Sequence, residues 1–253
     1  MKICSLGSGS SGNSFYIEGS GTRLLIDVGF NLTEIERRFS AAEISPADLN
    51  GIIITHEHAD HICGLRLFVK KWKIPFFVNN LTLDAIKKIL KNPDVNVFYN
   101  STEFVIGNLN IRPFPVLHDA SCTSGFVISN GTKKIFYATD IGFVTSLVKE
   151  RMKDANAIIF ESNHDKEMLL GGKYPWFLKQ RILGRQGHIS NEESAMAIRD
   201  MINDSCSRII LAHISKENNN HSLALDTHRK ILGNEDIPIH LAAQNKVSKM
   251  YKI

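Results

Sequence analysis

Apolar runs that end abruptly in an ionisable residue recur along the chain. Six runs of β-forming residues stop in this way, at Asp27, His56, His118, Asp140, Glu161 and His213. Runs such as Ile52–Ile54 and Ile209–Leu211 lack the alternation of apolar and polar residues that marks a half-exposed strand. They therefore predict strands that are covered on both faces, with ionisable groups gathered at the strand ends.

Segments with helical periodicity lie between these runs. The pattern predicts helices over Leu32–Phe39, Leu65–Trp72, Leu81–Leu90, Val144–Lys153 and Glu192–Met201. Ser190 and Asn191 precede the last segment and are candidate caps for its helix. Covered strands that alternate with helices indicate an α/β fold in which two sheets lie between helices. Ligands of open α/β folds bind beyond the carboxyl ends of strands, where the ionisable residues fall.

Length and composition limit the class of protein. The chain has 253 residues, 43% of them hydrophobic, and no internal repeat or heptad pattern, which predicts a single domain over residues 1–253. No apolar run approaches the ~20 residues needed to span a bilayer, and the first ten residues lack the apolar core of a secretion signal. We therefore expect a cytoplasmic protein that does not bind membranes.

Net charge and cysteine content limit the class of protein less strongly. The net charge of +4 permits binding to a polyanion such as nucleic acid without requiring it. The four cysteines are scattered without a CxxC pair, so we expect reduced, mostly buried thiols and neither a disulfide framework nor a zinc ribbon.

The segment Thr55–His61, with the sequence THEHADH, is the most specific signal in the chain. In extended backbone the side chains of residues i and i+2 point to the same side, so His56 and His58 can bind one metal ion. Asp60 and His61 follow where the chain turns and are placed for a second ion. Imidazole and carboxylate ligands suit Zn²⁺, and also Mn²⁺ or Fe. The zincin motif HExxH is excluded, because Asp60 stands where its second histidine would be.

An HxHxDH motif after an apolar strand resembles the signature of the metallo-β-lactamase superfamily. Further residues match in the family's order over nearly the whole chain, namely Asp27, His118, Asp140 and His213. The resemblance implies an α/β fold of the αβ/βα four-layer type, in which two mixed sheets are flanked by helices. It also implies two pseudo-related halves, roughly residues 1–130 and 131–253.

The same resemblance implies a pair of divalent metal ions. The first ion would be bound by His56, His58 and His118. The second would be bound by Asp60, His61 and His213, and Asp140 would bridge the two. Asp27 would lie behind the ligands, where it steadies the loop or orients a ligand imidazole. A simple turn residue before Gly29 is the alternative for Asp27.

The second half of the chain indicates a branch of the superfamily. The sequence GHIS at Gly187–Ser190, followed by LAHIS at Leu211–Ser215, resembles elements of the RNase Z-type phosphodiesterases. In that branch the histidine matching His188 contacts the phosphate, so we expect His188 to assist the departure of the leaving oxygen. A structural histidine at the start of the following helix is the alternative.

A narrower resemblance joins segments from both ends of the chain. The segments SLGSGSSGNS, ESNHDKEML, GRQGHIS and LAHISKENN are similar to those of the YycJ (WalJ) group, whose members are described as double-strand DNA 5′–3′ exonucleases. The resemblance implies a nuclease whose partner is nucleic acid, with DNA favoured over RNA.

These features together predict a phosphodiesterase that uses two metal ions. A hydroxide held between the ions would attack phosphorus, with Asp60 orienting it and His188 donating a proton as the second catalytic residue. A hydrolase of a small thioester, lactam or cyclic phosphodiester is one alternative. A regulatory protein that keeps the fold without catalysis is another.

Candidate substrate contacts lie between residues 166 and 188. Five cations, Lys166, Lys173, Lys179, Arg181 and Arg185, are interleaved with Tyr174, Trp176 and Phe177. The last four of these cations are the candidates to follow a phosphate backbone while the aromatics stack on bases. A solvated loop with its aromatics in the core is the alternative. His164 is a candidate either for a phosphate contact or for a position behind the metal ligands.

The Gly- and Ser-rich segment Ser5–Ser14 leaves two interpretations open. It lacks the GxxxxGK[ST] pattern of a P-loop. It is either a tight turn between two strands or a loop in which Ser11 or Asn13 faces a phosphate.

Overall fold

The computed structural model describes residues 1–90, 95–233 and 236–253. Fourteen strands lie in this part of the chain. The first six and the last form one sheet: β1 (Lys2–Gly7), β2 (Ser14–Gly19), β3 (Thr22–Ile26), β4 (Gly51–Ile53), β5 (Phe76–Asn79), β6 (Val95–Phe98) and β14 (Tyr251–Lys252). The other sheet contains β7 (Phe104–Ile106), β8 (Leu109–Val116), β9 (Thr123–Ser129), β10 (Lys134–Ala138), β11 (Ala157–Glu161), β12 (Arg208–Ala212) and β13 (Ile239–Leu241).

Each sheet combines an antiparallel part with a parallel part. The first sheet has the order β14-β1-β2-β3-β4-β5-β6, antiparallel from β14 to β3 and parallel from β3 to β6. The second has the order β13-β12-β11-β10-β9-β8-β7, parallel from β13 to β10 and antiparallel from β10 to β7. Both sheets are therefore mixed, as expected.

The chain passes from the first sheet to the second between Phe98 and Phe104, ahead of the boundary expected near residue 130. This difference arises because β7, β8 and β9 pair with the second sheet, and β14 returns to the first. The single domain over residues 1–253 stays a prediction.

Nine α-helices lie within the described residues. They are α1 (Leu32–Ala41), α2 (Ala59–Ile62), α3 (Leu65–Trp72), α4 (Asn80–Leu90), α5 (Ser146–Met152), α6 (Lys166–Gly171), α7 (Trp176–Leu183), α8 (Asn191–Met201) and α9 (His221–Leu232). The five predicted helices are α1, α3, α4, α5 and α8, and Ser190 caps α8 through a reciprocal bond with Glu193. The sequence did not lead us to expect α2, α6, α7 or α9. None of the helices in the described ranges is long and apolar enough to cross a membrane.

Three apolar clusters lie between the four layers of the molecule, which are two sheets and the helices on their outer faces. One cluster lies between the sheets, where the rings of Phe15 and Tyr137 meet at a centroid distance of 5.4 Å. A second fills the space between the first sheet and α1, α3 and α4, and a third lies between the second sheet and α5, α8 and α9. Successive residues of one strand enter different clusters, as Ile52 and Ile53 of β4 do. The predicted four-layer α/β architecture is therefore confirmed.

The state and burial of the cysteines are only partly as expected. All four cysteines are free. Cys4 and Cys206 are buried, but Cys63 is exposed and Cys122 is half-buried, so the expectation of mostly buried thiols was wrong for these two.

Three ionisable residues that follow strands have left-handed backbone geometry. Asp27 follows β3 with φ of 60°, Asp140 follows β10 with φ of 59°, and His213 follows β12 with φ of 53°. This region disfavours residues other than glycine by roughly 1–2 kcal/mol each. The three residues turn the chain out of the sheets, and their side chains come together at the strand ends.

Candidate metal centre

The ionisable residues that end the apolar runs meet at one edge of the two sheets. Within the described residues, four overlapping groups of side chains have possible ligand atoms within 4.8 Å of one another. The groups are His56, His58 and His118; Asp60, His61 and His213; His56, His61 and Asp140; and Asp140, Glu161, His188 and His213. All seven residues predicted as metal ligands belong to these groups.

The first group has imidazole nitrogens that lack a protein partner. His118 Nδ1 donates to the carbonyl of Gly187 at 3.1 Å, which leaves its Nε2 without a proton when the ring is neutral. Burial lowers the pKa of His118 and of His56, so neutral rings are favoured. His56 Nε2 is buried without a hydrogen-bond partner. Leaving such an atom unpaired is unfavourable, so this group fits a cation.

The second group is built on a buried hydrogen bond. His61 Nδ1 donates to Asp27 Oδ2 at 2.8 Å, which directs Nε2 towards Asp60 Oδ2, 3.5 Å away. His213 Nε2 lies 3.6 Å from the same oxygen and has no hydrogen-bond partner. Ligand atoms held ~2.0–2.1 Å from one tetrahedral zinc ion lie roughly 3.3 Å apart. These spacings are therefore compatible with a shared ion.

Asp140 lies between the two groups. Its Oδ2 is 3.2 Å from His61 Nε2 and its Oδ1 is 3.6 Å from His118 Nε2. The side chain is buried, and Oδ2 lacks a conventional hydrogen-bond partner. Asp140 is therefore close to a candidate ligand of each group, and its bridging role stays a prediction.

Asp27 is fully buried and accepts hydrogen bonds from one loop. Besides His61, it accepts from the backbone N–H of Thr55 and from Thr55 Oγ1, both at 2.8 Å. Its left-handed backbone also forms the turn after β3. The turn and the contact with a candidate ligand, which the sequence offered as alternatives, therefore coexist at Asp27.

Glu161 is the functional candidate that the sequence analysis left unassigned, although it ends an apolar run. Its buried carboxylate accepts from His213 Nδ1 at 2.7 Å and from His188 Nδ1 at 2.9 Å. The backbone N–H groups of Asp140, Ile141 and Ile189 also donate to it, at 3.0–3.2 Å. Burial would raise the pKa of Glu161, but the charges and hydrogen bonds of the two histidines lower it to about 2. Glu161 therefore remains charged and orients both rings.

Asn13 supports the ligands from the Gly- and Ser-rich loop. Its Nδ2 lies 3.2 Å from Asp60 Oδ2 and 3.0 Å from His61 Nε2, while its Oδ1 accepts from the backbone N–H of Gly9 at 3.0 Å. The loop joins β1 to β2, and Asn13 is buried while Ser11 is exposed. Asn13 therefore faces the candidate ligands. The backbone segments around Asn13, Gly29 and Asp60 are packed closely together, since a Cβ on Gly29 would lie 1.8 Å from the carbonyl oxygen of Asp60.

Asp119 is a second carboxylate that the sequence analysis missed. Its Oδ1 lies 3.3 Å from His118 Nε2 and 4.0 Å from His58 Nε2. Its Oδ2 accepts from Nε of Arg181 at 2.5 Å. Only its position next to a predicted ligand could have indicated it.

The electrostatics of the site favour positive charge. Burial would raise the pKa of Asp140, yet His213 and His61 hold it well below its usual value. Burial would lower the pKa of His61, yet Asp140, Asp27 and Asp60 hold it well above its usual value. Carboxylates buried at this density need compensating cations, and divalent ions among the ligand atoms would supply that charge.

His188 and His164 occupy different positions near the cluster. The ring of His188 lies 5.0 Å from that of His118 and 5.1 Å from that of His213, between centroids, and is partly exposed. His164 is buried, and neither of its ring nitrogens has a hydrogen-bond partner. Burial lowers its pKa to about 4. His188 is therefore accessible to a substrate, whereas His164 lies inside the protein.

The segment with the candidate substrate contacts folds as α6 and α7. Trp176 and Phe177 are 61% and 71% exposed, so the alternative that places these aromatics in the core was wrong. Lys173 is exposed. Arg185 stacks its guanidinium 4.2 Å from the ring centroid of Phe143. Lys179 departs from the expected set, because it is buried and its ammonium donates to the carbonyl of Leu170 at 2.6 Å.

Comparison with known proteins gives consistent matches. Residues 22–214 match the family described as the β-lactamase superfamily domain. Exodeoxyribonuclease YycJ of Bacillus anthracis is 40% identical over 87% of this chain and 84% of its own length. Exodeoxyribonuclease WalJ of Streptococcus pneumoniae is 36% identical over 94% of this chain and 91% of its own. The metallo-β-lactamase-fold protein YhfI of Bacillus subtilis superposes with a TM-score of 0.75 at 15% identity, over 98% of both chains.

Proposed function

Because the chain belongs to the metallo-β-lactamase superfamily, together with the exodeoxyribonucleases YycJ and WalJ, we propose that it is a metal-dependent exonuclease that acts on DNA. The observation that carries this proposal is the meeting of buried imidazole and carboxylate groups whose inward atoms lack protein partners. The names of the relatives supply the substrate class and the action at an end. The cytoplasmic location expected from the sequence stays a prediction.

The ligand set of the proposal follows the groups described above. His56, His58 and His118 would hold one ion, Asp60, His61 and His213 would hold the other, and Asp140 lies between the two groups. Zn²⁺, Mn²⁺ and Fe all suit imidazole and carboxylate donors. Divalent ions bound here would lower the pKa of a coordinated water and neutralise charge on the phosphodiester.

Asp60 orients the attacking water in this proposal. Burial would raise its pKa, but His61 and His213 hold the pKa well below the usual value. Asp60 is therefore a carboxylate at neutral pH, and it can accept a hydrogen bond from water. Asn13 fixes the rotation of the carboxylate through its contact with Oδ2 at 3.2 Å.

His188 is placed to donate a proton to the leaving oxygen. Its Nδ1–H is committed to Glu161, so Nε2 is the nitrogen free to face a substrate. The buried carboxylate of Glu161 fixes the orientation of the ring, as a buried acid does for a catalytic imidazole in other hydrolases. The exposed cations of the segment from residue 166 to residue 188, namely Lys173, Arg181 and Arg185, would attract the phosphate backbone.

The test incubates protein loaded with Mn²⁺ or Zn²⁺ with end-labelled single- and double-stranded DNA and RNA. We expect Asp60→Ala to abolish hydrolysis with the fold preserved, and His188→Ala to slow turnover by about 10²–10⁴-fold while metal remains bound. Asp84→Ala is the matched control, since Asp84 is exposed and pairs with Lys87. Full activity of Asp60→Ala, or hydrolysis of a thioester or lactam but no nucleic acid, would contradict the proposal.

A further inference from the structure

Two cavities lie on either side of α7. The inner cavity, about 190 Å³, adjoins His188 and His213 and is also lined by Asn163, Tyr174 and Asn218. The outer cavity, about 510 Å³, is lined by Gln180, Arg185 and Gln186 among others. The residues that line both are Asp119 and Arg181, within the part of the chain that the structure describes.

These two shared residues form an ion pair. Nε and one terminal nitrogen of Arg181 both lie 2.5 Å from Asp119 Oδ2. The other carboxylate oxygen of Asp119 lies 3.3 Å from His118 Nε2, beside the candidate metal ligands. The ion pair therefore lies where the inner cavity adjoins the outer one, next to a candidate metal ligand.

The lining of the inner cavity suits a nucleotide. Tyr174 offers an aromatic ring for stacking, and the amides of Asn163 and Asn218 can bond to the edges of a base. The cavity is smaller than the ~300–1,000 Å³ of typical ligand clefts. A cavity of this size suits a single nucleotide unit better than a continuing strand.

We propose that the Asp119–Arg181 ion pair is a specificity-determining barrier that confines the inner cavity to one terminal nucleotide. The inference rests on the proposed function. A strand end enters beside the metal ligands, stops at the ion pair, and is cut one unit from its end. Opening the barrier joins the two cavities and lets a longer end pass through.

The test compares product lengths from end-labelled DNA for Arg181→Ala, Asp119→Asn and wild type. We expect wild type to release mononucleotides, and both variants to release di- to tetranucleotides at the expense of mononucleotides. Gln180→Ala is the matched control, because Gln180 precedes Arg181 in α7 but lines the outer cavity alone. It should leave product length unchanged. Circular dichroism checks that each variant is folded. If Arg181→Ala does not fold, the product lengths of Asp119→Asn decide whether the barrier exists.

A binding measurement separates this inference from the proposed function. Thymidine 5′-monophosphate and a 5′-phosphorylated thymidine dinucleotide are titrated separately into the metal-loaded protein, and Arg181→Ala should raise the affinity for the dinucleotide relative to the mononucleotide about tenfold. If wild type cuts no nucleic acid, the proposed function fails, and an unchanged ratio of the two affinities in Arg181→Ala then overturns the barrier as well. If wild type cuts but its products are already oligonucleotides, or the variants keep mononucleotide products, the barrier alone is overturned.

Discussion

Replacing Glu161 with glutamine should destabilise the protein more than any other isosteric change at the site. The amide keeps the shape of the side chain but converts one acceptor oxygen into a donor. Directed at Ile141 and Ile189, the NH₂ group loses the two hydrogen bonds that those backbone N–H groups donate to Oε2. Directed the other way, it faces His188, His213 and the N–H of Asp140. No orientation satisfies all five donors.

The expected magnitude follows from the smaller of these losses. A hydrogen bond to a charged group contributes ~1.5–3 kcal/mol, so two of them contribute roughly 3–6 kcal/mol before relaxation. We expect Glu161→Gln to lower the free energy of unfolding by about 3 kcal/mol or more. Urea unfolding at pH 7 in the presence of a chelator measures this without a contribution from metal binding. Glu167→Gln, at an exposed position of α6, should stay within ~0.5 kcal/mol of wild type.

The loss of stability caused by Glu161→Gln should depend on pH. The pKa of Glu161 is lowered from 4.5 to about 2 in the folded protein, so its ionisation stabilises the fold at every pH above about 4.5. This contribution is lost as the pH falls from about 4.5 through 2, and the gap between wild type and Glu161→Gln should shrink over that range. A loss under ~1 kcal/mol at pH 7, or a gap that widens on acidification, would refute the account of Glu161 as the charged acceptor of five donors.

Three further changes test other parts of the molecule. Asp27→Asn removes the acceptor of His61 Nδ1–H and should weaken Mn²⁺ or Zn²⁺ binding by about 10–100-fold in calorimetry; unchanged affinity would remove Asp27 from the support of the centre. His228 is buried between α8 and α9, and burial lowers its pKa to about 4, so its contribution is full above pH 6.5 and is lost as the pH falls towards 4. His228→Gln should flatten the fall in the urea midpoint over that range, and an equally steep fall would contradict this. Arg185→Ala should lower the salt slope of DNA binding by about 0.7–0.9, whereas Lys70→Ala, at an exposed position of α3, should not change it.

The sequence predicted those features that depend on local periodicity. Continuous apolar runs such as Ile52–Ile54 indicated covered strands, and both faces of that run are buried. The five helices with a regular apolar stripe were found for the same reason. The segment Thr55–His61 could be assigned because its ligands lie on one short stretch of chain.

Features that depend on contacts between distant loops could not be predicted from the sequence in this way. Glu161 and Asp119 gain much of their importance from contacts with distant residues, such as His188, 27 positions from Glu161, and Arg181, 62 positions from Asp119. Periodicity carries no information on such pairs. The helix α7 begins after Pro175 without a side-chain cap. By contrast, α9 had readable signals that were overlooked, since Asn220 caps its start and Gly233 ends it with φ of 62°.

The left-handed backbone at Asp27, Asp140 and His213 has a consequence for how such a centre would decay in evolution. Glycine or asparagine would relieve the conformational penalty at each position. At Asp27 and His213 glycine would also remove a buried hydrogen bond, to His61 or to Glu161, which offsets the gain. A descendant that no longer needs a cation should therefore acquire glycine or asparagine first at Asp140, whose Oδ2 has no conventional hydrogen-bond partner.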